Sequence, residues 1–366
     1  MAFPILYSQR SLITSYSQMG ILSNLGLIVT IFVQVMVVTL ADRVEYKTLL
    51  FMSFAGISAS LVLITFSSSF ALLLVFYLLM RVFTSFYHPI GIAWVSKTNP
   101  SQGLDFAMGV QSASGNFGVF VVFVLGGYIA QKFSWKTPIN LWAALVVLLG
   151  LTSFWFVRKI STKGEELRRG GLTSWLVTLN QIKPYLLGFI YGGFCWATTI
   201  SFAPSLLNHR FQIPMGKTGL YLGIWMALGT LVNYVYGTWS RWLGRFNVTL
   251  CGLFGGSACL LLIGFAPRKE IVLPAFILYG AFLFLTYPSL QSWVGSTVPR
   301  AHQSQAFSLA SNVQMLSGAM TVLCAGFLSD RFGIHTPFLL IGFLGALIAF
   351  YYLARRSHFL ANDRAR

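Results

Sequence analysis

The sequence predicts an all-α polytopic membrane protein made of two related bundles of helices. Three observations support this prediction: an apolar composition, long uninterrupted apolar segments, and a pattern that occurs twice at a constant offset. Of the 366 residues, 56% are hydrophobic and only 9% are charged, and the mean hydropathy is +0.73. Soluble domains average about 25% charged residues, so this composition excludes an ordinary soluble protein.

Eleven segments are long and apolar enough to cross a bilayer. A spanning helix needs about 20 mostly apolar residues, whereas the strands of a membrane barrel are shorter and alternate in polarity. In chain order the segments lie near 20–40, 48–66, 70–96, 106–131, 139–157, 184–207, 218–239, 248–266, 271–296, 304–329 and 335–354.

The second half of the chain repeats the first half 199 positions later, without a gap. Pro89 and Pro138 recur as Pro288 and Pro337, and further matched pairs are Trp94 and Trp293, Gly127 and Gly326, and Phe133 and Phe332. A repeat of this length in so apolar a chain predicts two pseudo-symmetric six-helix bundles. In membranes such repeats usually build transporters with a site between the halves.

The same offset predicts that the first bundle lacks most of its first helix. The seventh span begins near Pro184, so its counterpart would begin before Met1. Two explanations are open: the start of the protein lies upstream of Met1, or the protein is a natural eleven-helix variant. We divide the chain into an N-terminal bundle (1–157), a linker (158–183) and a C-terminal bundle (184–366).

The basic residues predict the orientation of the chain. The net charge of +17 comes from loops, and one side holds about twice as many basic residues as the other, as the positive-inside rule describes. This distribution predicts a protein of the cytoplasmic (inner) membrane whose linker and C-terminus lie on the cytoplasmic side. It gives no reason to expect nucleic acid as a partner. Within the linker, residues 172–182 carry apolar residues at helical spacing, which indicates either a helix on the membrane surface or a flexible segment.

Two loops carry a charged motif at the repeat offset. The first runs over 38–47 and the second over 237–245. These loops, the six-plus-six pattern and the basic linker resemble the major facilitator superfamily, whose signature loop reads G-x-L-A-D-R-x-G-R. The first copy matches it at Asp42 and Arg43 but has Val38 and Glu45 instead of the glycines, and the second has Arg241 instead of the aspartate.

The resemblance implies a gating or structural role for these loops. A carboxylate at a helix end beside basic residues can hold two helices together, and such pairs must break if the halves rock. The alternative is that the charges only mark topology. The motif positions are Asp42, Arg43, Lys47, Gly237, Arg241, Gly244 and Arg245. The run 86–89, followed by the Ser114–Gly118 stretch, resembles the fosmidomycin-resistance-type efflux branch more specifically, but it carries no substrate with it.

Arg81 is the main candidate for substrate binding. It lies about eleven residues, or about 16 Å, into the fourth span, near the middle of the membrane. A charge at that depth is costly unless it faces protein or water, so it indicates function. The superfamily often has an arginine here, whereas the repeat partner in this chain is Gly280. The alternative is an arginine whose N–H groups are satisfied by backbone carbonyls.

Four aromatic residues and a histidine complete the candidate set. His88 lies seven residues after Arg81, on the same helix face, and is either a proton carrier or a neutral histidine that bonds a carbonyl freed by Pro89. Tyr87 and Tyr287 flank Pro89 and Pro288, where we expect matched helix breaks of the kind at which carriers bind substrate. In the family the seventh helix lines the cavity, and in this chain it carries Tyr191 and Trp196.

The positions of the acidic residues limit the classes of solute that the protein could bind. All eight fall in loops or at helix ends, so a cavity whose formal charge is Arg81 favours anionic or neutral polar solutes. We therefore expect a monomeric secondary transporter of a small polar or anionic molecule, with proton coupling open, and neither an enzyme nor a cofactor or metal protein. The alternatives are a transport-inactive sensor or partner protein, and a lipid flippase, which an apolar groove reaching the bilayer would favour.

Overall fold

A computed structural model describes residues 12–41, 44–98, 101–157, 172–298, 303–357 and 359–360. The described residues form helices and connecting turns and contain no strand. Close contacts divide the chain into two compact units, Met1–Arg168 and Arg169–Arg366.

The first unit contains five long helices. They are α1 (Tyr16–Ala41), α2 (Tyr46–Thr65), α3 (Phe70–Thr98), α4 (Ser101–Lys132) and α5 (Lys136–Val157). Helix α2 packs against both α3 and α5, and α1 packs against α3. At the crossing of α1 with α3, the half-buried Arg81 contacts the backbone of α1.

The second unit begins with a short helix and continues with six long ones. They are α6 (Leu172–Ile182), α7 (Leu186–Ser205), α8 (Met215–Leu243), α9 (Arg245–Phe265), α10 (Lys269–Thr297), α11 (Gln303–Phe332) and α12 (Thr336–Ala354). Helix α7 packs against α11, α8 against α10, and α9 against both α10 and α12.

The eleven predicted spans are confirmed within the described ranges, where eleven segments are long and apolar enough to cross a membrane. The described part of the linker is helical, whereas its position on the membrane surface stays a prediction. Helix α6 joins α7 through a 3₁₀ turn, Lys183–Tyr185, so that Trp175–Arg210 forms one apolar segment of 36 residues.

The internal repeat is visible in the helix boundaries. Helix α3 (Phe70–Thr98) and helix α10 (Lys269–Thr297) begin and end 199 positions apart, and α2 and α9 begin at the same offset. The expectation of helix breaks at the paired prolines is wrong, since α3 and α10 continue through Pro89 and Pro288. A proline removes one backbone N–H, and spanning helices tolerate this loss because neighbouring groups and small local adjustments satisfy the freed carbonyl.

Helices α7 and α11 cross at small residues. A Cβ atom added to Gly193 would collide with the Gln314 carbonyl oxygen and Ser317 Oγ, and one added to Gly318 would lie 3.1 Å from the Gly193 carbonyl oxygen. The Ser317 hydroxyl donates across this crossing to the Ile190 carbonyl, at 3.2 Å. In the first unit, Gly115 and Gly118 stand 199 positions before Gln314 and Ser317, and they face open space. That the first bundle lacks most of its first helix stays a prediction.

Candidate functional site

Arg81 is held at the crossing of α1 and α3 through one end of its guanidinium group. The side chain is half-buried, and its Nε–H donates to the Gly26 carbonyl oxygen at 3.1 Å. Among the described residues this is the hydrogen bond that Arg81 makes, so its two terminal amino groups stay available there. A guanidinium fixed in this way can present two parallel N–H bonds to a carboxylate or phosphate.

Gly26 is the point on α1 where three side chains converge. Its carbonyl also accepts a hydrogen bond from Thr30 Oγ1 at 2.8 Å. The Tyr77 ring lies where a side chain of residue 26 would be: an added Cβ would be 2.6 Å from Tyr77 Cε1 and 2.8 Å from the Tyr77 hydroxyl oxygen. Tyr77 lies on α3 one helical turn before Arg81 and interacts electrostatically with its charge. The carbonyl that anchors Arg81 is therefore shared with Thr30, and the Tyr77 ring packs against the same residue of α1.

The second unit has an aromatic cluster on α7, α8 and α10. Trp225 is fully buried, and its ring centroid lies 5.8 Å from that of Trp196 and 5.6 Å from that of Phe284. Trp196 itself is 37% exposed and also meets Phe284 edge-on at 6.0 Å. Of the predicted α7 residues, Trp196 therefore has surface available to a ligand.

Tyr191 is placed in the interior of the second unit. It is 2% exposed, and its hydroxyl shares a hydrogen bond with Ser257 Oγ on α9 at 3.3 Å. This contact gives Tyr191 an interhelical role, because the hydroxyl is directed into the bundle. Trp196, five residues later, lies on another side of the same helix.

The other predicted site residues are distributed over both units. Tyr87 is 37% exposed, with its ring 6.3 Å from that of Phe54. Tyr287 is half-buried and packs edge-on against Phe189 at 6.1 Å. The side chains of His88 and Pro89 lie outside the described part of the structure, as do Asp42 and Arg43 entirely.

The two signature loops differ in backbone conformation at matched positions. Gly244 has φ +79° and ψ 145°, whereas Glu45, 199 positions earlier, has φ −62° and ψ 140°. Only glycine adopts the first conformation readily, which explains why the second copy keeps a glycine there and the first does not need one. Glu45 forms an ion pair with Lys47 at 2.7 Å, and Arg241 Nε donates to the Gly237 carbonyl at 3.2 Å.

A separate apolar cavity of about 480 Å³ lies between α7, α11 and α12. The hydroxyls that border it, Ser317 and Thr321, donate to backbone carbonyls, so they offer the cavity no free donor. Its apolar walls include Phe194, Leu316, Met320, Leu340 and Leu344. Within the described ranges, no group of three or more histidine, cysteine or acidic side chains could hold a metal ion.

Sequence reasoning missed Gly26, Thr30 and Tyr77. For Gly26 a signal was present in the repeat, because Gly26 stands 199 positions before Trp225 and Arg81 stands 199 positions before Gly280. A glycine paired with a bulky residue, with the two exchanged between the copies, indicates that these positions contact one another.

Comparison with known proteins gives consistent results. The family model of the Major Facilitator Superfamily matches residues 1–322. The MFS-type transporter YceJ of Bacillus subtilis is 26% identical over 345 residues, covering 89% of this chain and 85% of the relative. A bacterial homolog of the human lysosomal transporter Spinster superposes with a TM-score of 0.82 at 13% identity, covering 99% of this chain and 94% of the other. The nucleoside transporter NupG gives 0.79 at 13%, with 96% and 92% covered. These two structures are similar in fold.

Proposed function

The chain belongs to the major facilitator superfamily, and from that premise we propose that this multi-pass membrane transporter carries a small organic anion. Membership of the superfamily establishes a transporter of small molecules. The proposal goes further, because it names the class of molecule. Substrate uptake or efflux is driven by alternating access, in which the two units rock against one another. The direction of transport follows from the gradient that drives it.

The geometry of Arg81 carries this proposal. Its Nε–H is bonded to Gly26, and its terminal amino groups remain available among the described residues. The sequence predicts that its eight acidic residues fall in loops or at helix ends, so we expect none of these carboxylates to neutralise the charge of Arg81. An anionic solute therefore supplies the missing charge, and an organic cation is disfavoured.

The remaining candidate residues receive roles under the same proposal. Trp196 supplies an aromatic surface for the apolar part of the solute. His88, two turns from Arg81 on the same helix face, is the candidate proton carrier, since its charge changes near neutral pH. Asp42 and the matched Arg241 loop act as cytoplasmic latches, with the linker and the C-terminus on the cytoplasmic side of a cytoplasmic membrane.

Transport by reconstituted protein tests the proposal. Purified protein in proteoliposomes is given radiolabelled benzoate, benzamide or benzylamine, which share a ring and differ in charge. The proposal expects benzoate to accumulate above protein-free vesicles, and benzylamine not to. Repeating the assay with and without an imposed pH gradient shows whether protons are coupled. Uptake of benzylamine in preference to benzoate would contradict the proposal.

A second candidate function is lipid transfer, and the apolar cavity between α7, α11 and α12 favours it. With its border hydroxyls bonded to backbone, this cavity suits an acyl chain better than a polar solute. Vesicles with a fluorescent phospholipid and an impermeant quencher separate the two functions. Protein-dependent loss of the protected fluorescence supports lipid transfer, and protected fluorescence unchanged by the protein supports the solute transporter.

A further inference from the structure

The same helix crossing occurs once in each unit, with the bulky residue exchanged between the two helices. In the first unit Gly26 lies on α1 and Arg81 on α3. In the second, 199 positions later, Trp225 lies on α8 and Gly280 on α10. A Cβ atom on Gly280 would lie 2.5 Å from the Trp225 carbonyl oxygen and 2.7 Å from its ring Cδ1. In both units the carbonyl of the first position therefore faces the second position.

This exchange has a chemical consequence in the first unit. Where the second unit has a glycine against that carbonyl, the first has a guanidinium whose Nε–H donates to it at 3.1 Å. The approach is possible because Gly26 has no side chain and the Tyr77 ring fills the space, with Cζ 3.0 Å from the position of an added Cβ. The crossing has thus become polar in one copy and aromatic in the other.

We propose that Gly26 is a positioning residue for Arg81, and that the crossing aims the guanidinium at an oxyanion, a carboxylate or a phosphate. This inference rests on the proposed function, because it assumes that Arg81 binds an anion. With Nε–H engaged, the group presents its two terminal amino groups, whose parallel N–H bonds match two oxygens of one acid group. Thr30, bonded to the same carbonyl at 2.8 Å, keeps that acceptor in place.

A methyl group at position 26 disturbs this arrangement without touching the anion. It would meet the outer atoms of the Tyr77 ring at 2.6–3.0 Å, so the ring and α1 must move relative to one another. We expect this movement to lengthen the hydrogen bond between the Arg81 guanidinium and the Gly26 carbonyl. Hydrogen bonds to charged groups contribute more to binding than neutral ones, so a guanidinium that is poorly aligned with an acid group binds it more weakly. Gly26→Ala should therefore weaken the binding of anions selectively.

The test compares dissociation constants of benzoate, inorganic phosphate and neutral benzamide, each taken from the concentration dependence of thermal stabilisation of the purified full chain. In Gly26→Ala the proposal expects benzoate and phosphate to bind about tenfold or more weakly, with benzamide unchanged. The benzoate and phosphate arms show which acid group the site prefers.

Gly56→Ala is the matched control. A Cβ atom on Gly56 of α2 would collide with the Phe83 ring of α3, so this change disturbs the packing of the same helix away from the Arg81 guanidinium. It should lower the melting temperature and leave the ratio of benzoate to benzamide affinity as in the wild type. A ratio shifted equally by Gly56→Ala and Gly26→Ala would reduce Gly26 to a packing residue and overturn the inference.

A compensating variant keeps the test decisive if Gly26→Ala does not fold. Tyr77→Ala removes the ring that the new methyl group would meet, so Gly26→Ala combined with Tyr77→Ala should bind benzoate within about twofold of Tyr77→Ala alone. A much weaker double variant would overturn the inference. Arg81→Ala separates failure of the proposed function from failure of the positioning role. If both Gly26→Ala and Arg81→Ala leave the preference for benzoate over benzamide intact, the proposed function fails. If Arg81→Ala abolishes that preference and Gly26→Ala does not, only the positioning role fails.

Discussion

Replacing Gly193 by alanine should destabilise the second unit by an amount that follows from the α7–α11 crossing. The added methyl group would collide with the Gln314 carbonyl oxygen and Ser317 Oγ, and would lie 3.1 Å from the Gln314 carbonyl carbon. Backbone atoms cannot swing aside, so the helices must separate by on the order of 1 Å in a close-packed interior. Overpacking of this kind costs about 1–3 kcal/mol. Weakening the bond from Ser317 to Ile190 adds about 0.6 kcal/mol.

Thermal unfolding of the purified protein in detergent measures this cost. About 1.6–3.6 kcal/mol in a unit of this size corresponds to a melting temperature lower by roughly 3–14 °C. Gly192→Ala is the control, because its Cβ would lie 3.6 Å from the flexible amide nitrogen of Gln314, an ordinary contact. It should stay within about 2 °C of the wild type. Equal losses at both glycines would refute the register of this crossing.

Three other substitutions test separate features. Gly244→Ala, at φ +79°, should cost about 1–3 kcal/mol, seen as a lower melting temperature; an unchanged value would contradict the backbone assignment. Burial and the nearby Arg210 charge lower the pKa of His335. The unfolded chain therefore takes up the proton first, and this contribution to stability is lost as the pH falls below about 6.5. His335→Gln should reduce the fall in melting temperature between pH 7 and pH 5. An unaltered pH profile would contradict the lowered pKa of His335. Asp42→Asn should slow transport more than it lowers expression, and unchanged turnover would leave Asp42 as a topology marker.

The helix count and boundaries could be predicted from the sequence because two independent signals agree. Hydropathy locates the spans, and the 199-residue offset independently predicts that the second half repeats the helices of the first. The match of Phe70–Thr98 with Lys269–Thr297 shows how well the offset is kept. The prolines misled the prediction, because the tolerance of a spanning helix for proline depends on neighbours that the sequence does not display.

The direction of side chains within the spans could not be predicted. A helix that is apolar on all sides gives no periodicity from which to orient it, so Tyr191 and Trp196 received the same role. The structure separates them, since Tyr191 bonds Ser257 inside the bundle and Trp196 keeps an exposed ring. Arg81 was recognisable because a charge in a span is rare. Its anchor is a backbone carbonyl, and the difference between Gly26 and its repeat partner Trp225 does not by itself show which group bonds Arg81.

Transport by Arg81→Ala protein is the most direct test of whether Arg81 binds an anionic substrate. The variant should fold, because the Gly26 carbonyl still accepts the bond from Thr30. Loss of a direct pair with a buried substrate charge costs about 2–5 kcal/mol. We therefore expect benzoate uptake by proteoliposomes at limiting concentration to fall by about 30-fold or more. Arg81→Lys, which keeps the charge but not the planar fork, should lose part of the activity. Benzoate uptake by folded Arg81→Ala protein at the wild-type rate would contradict the account.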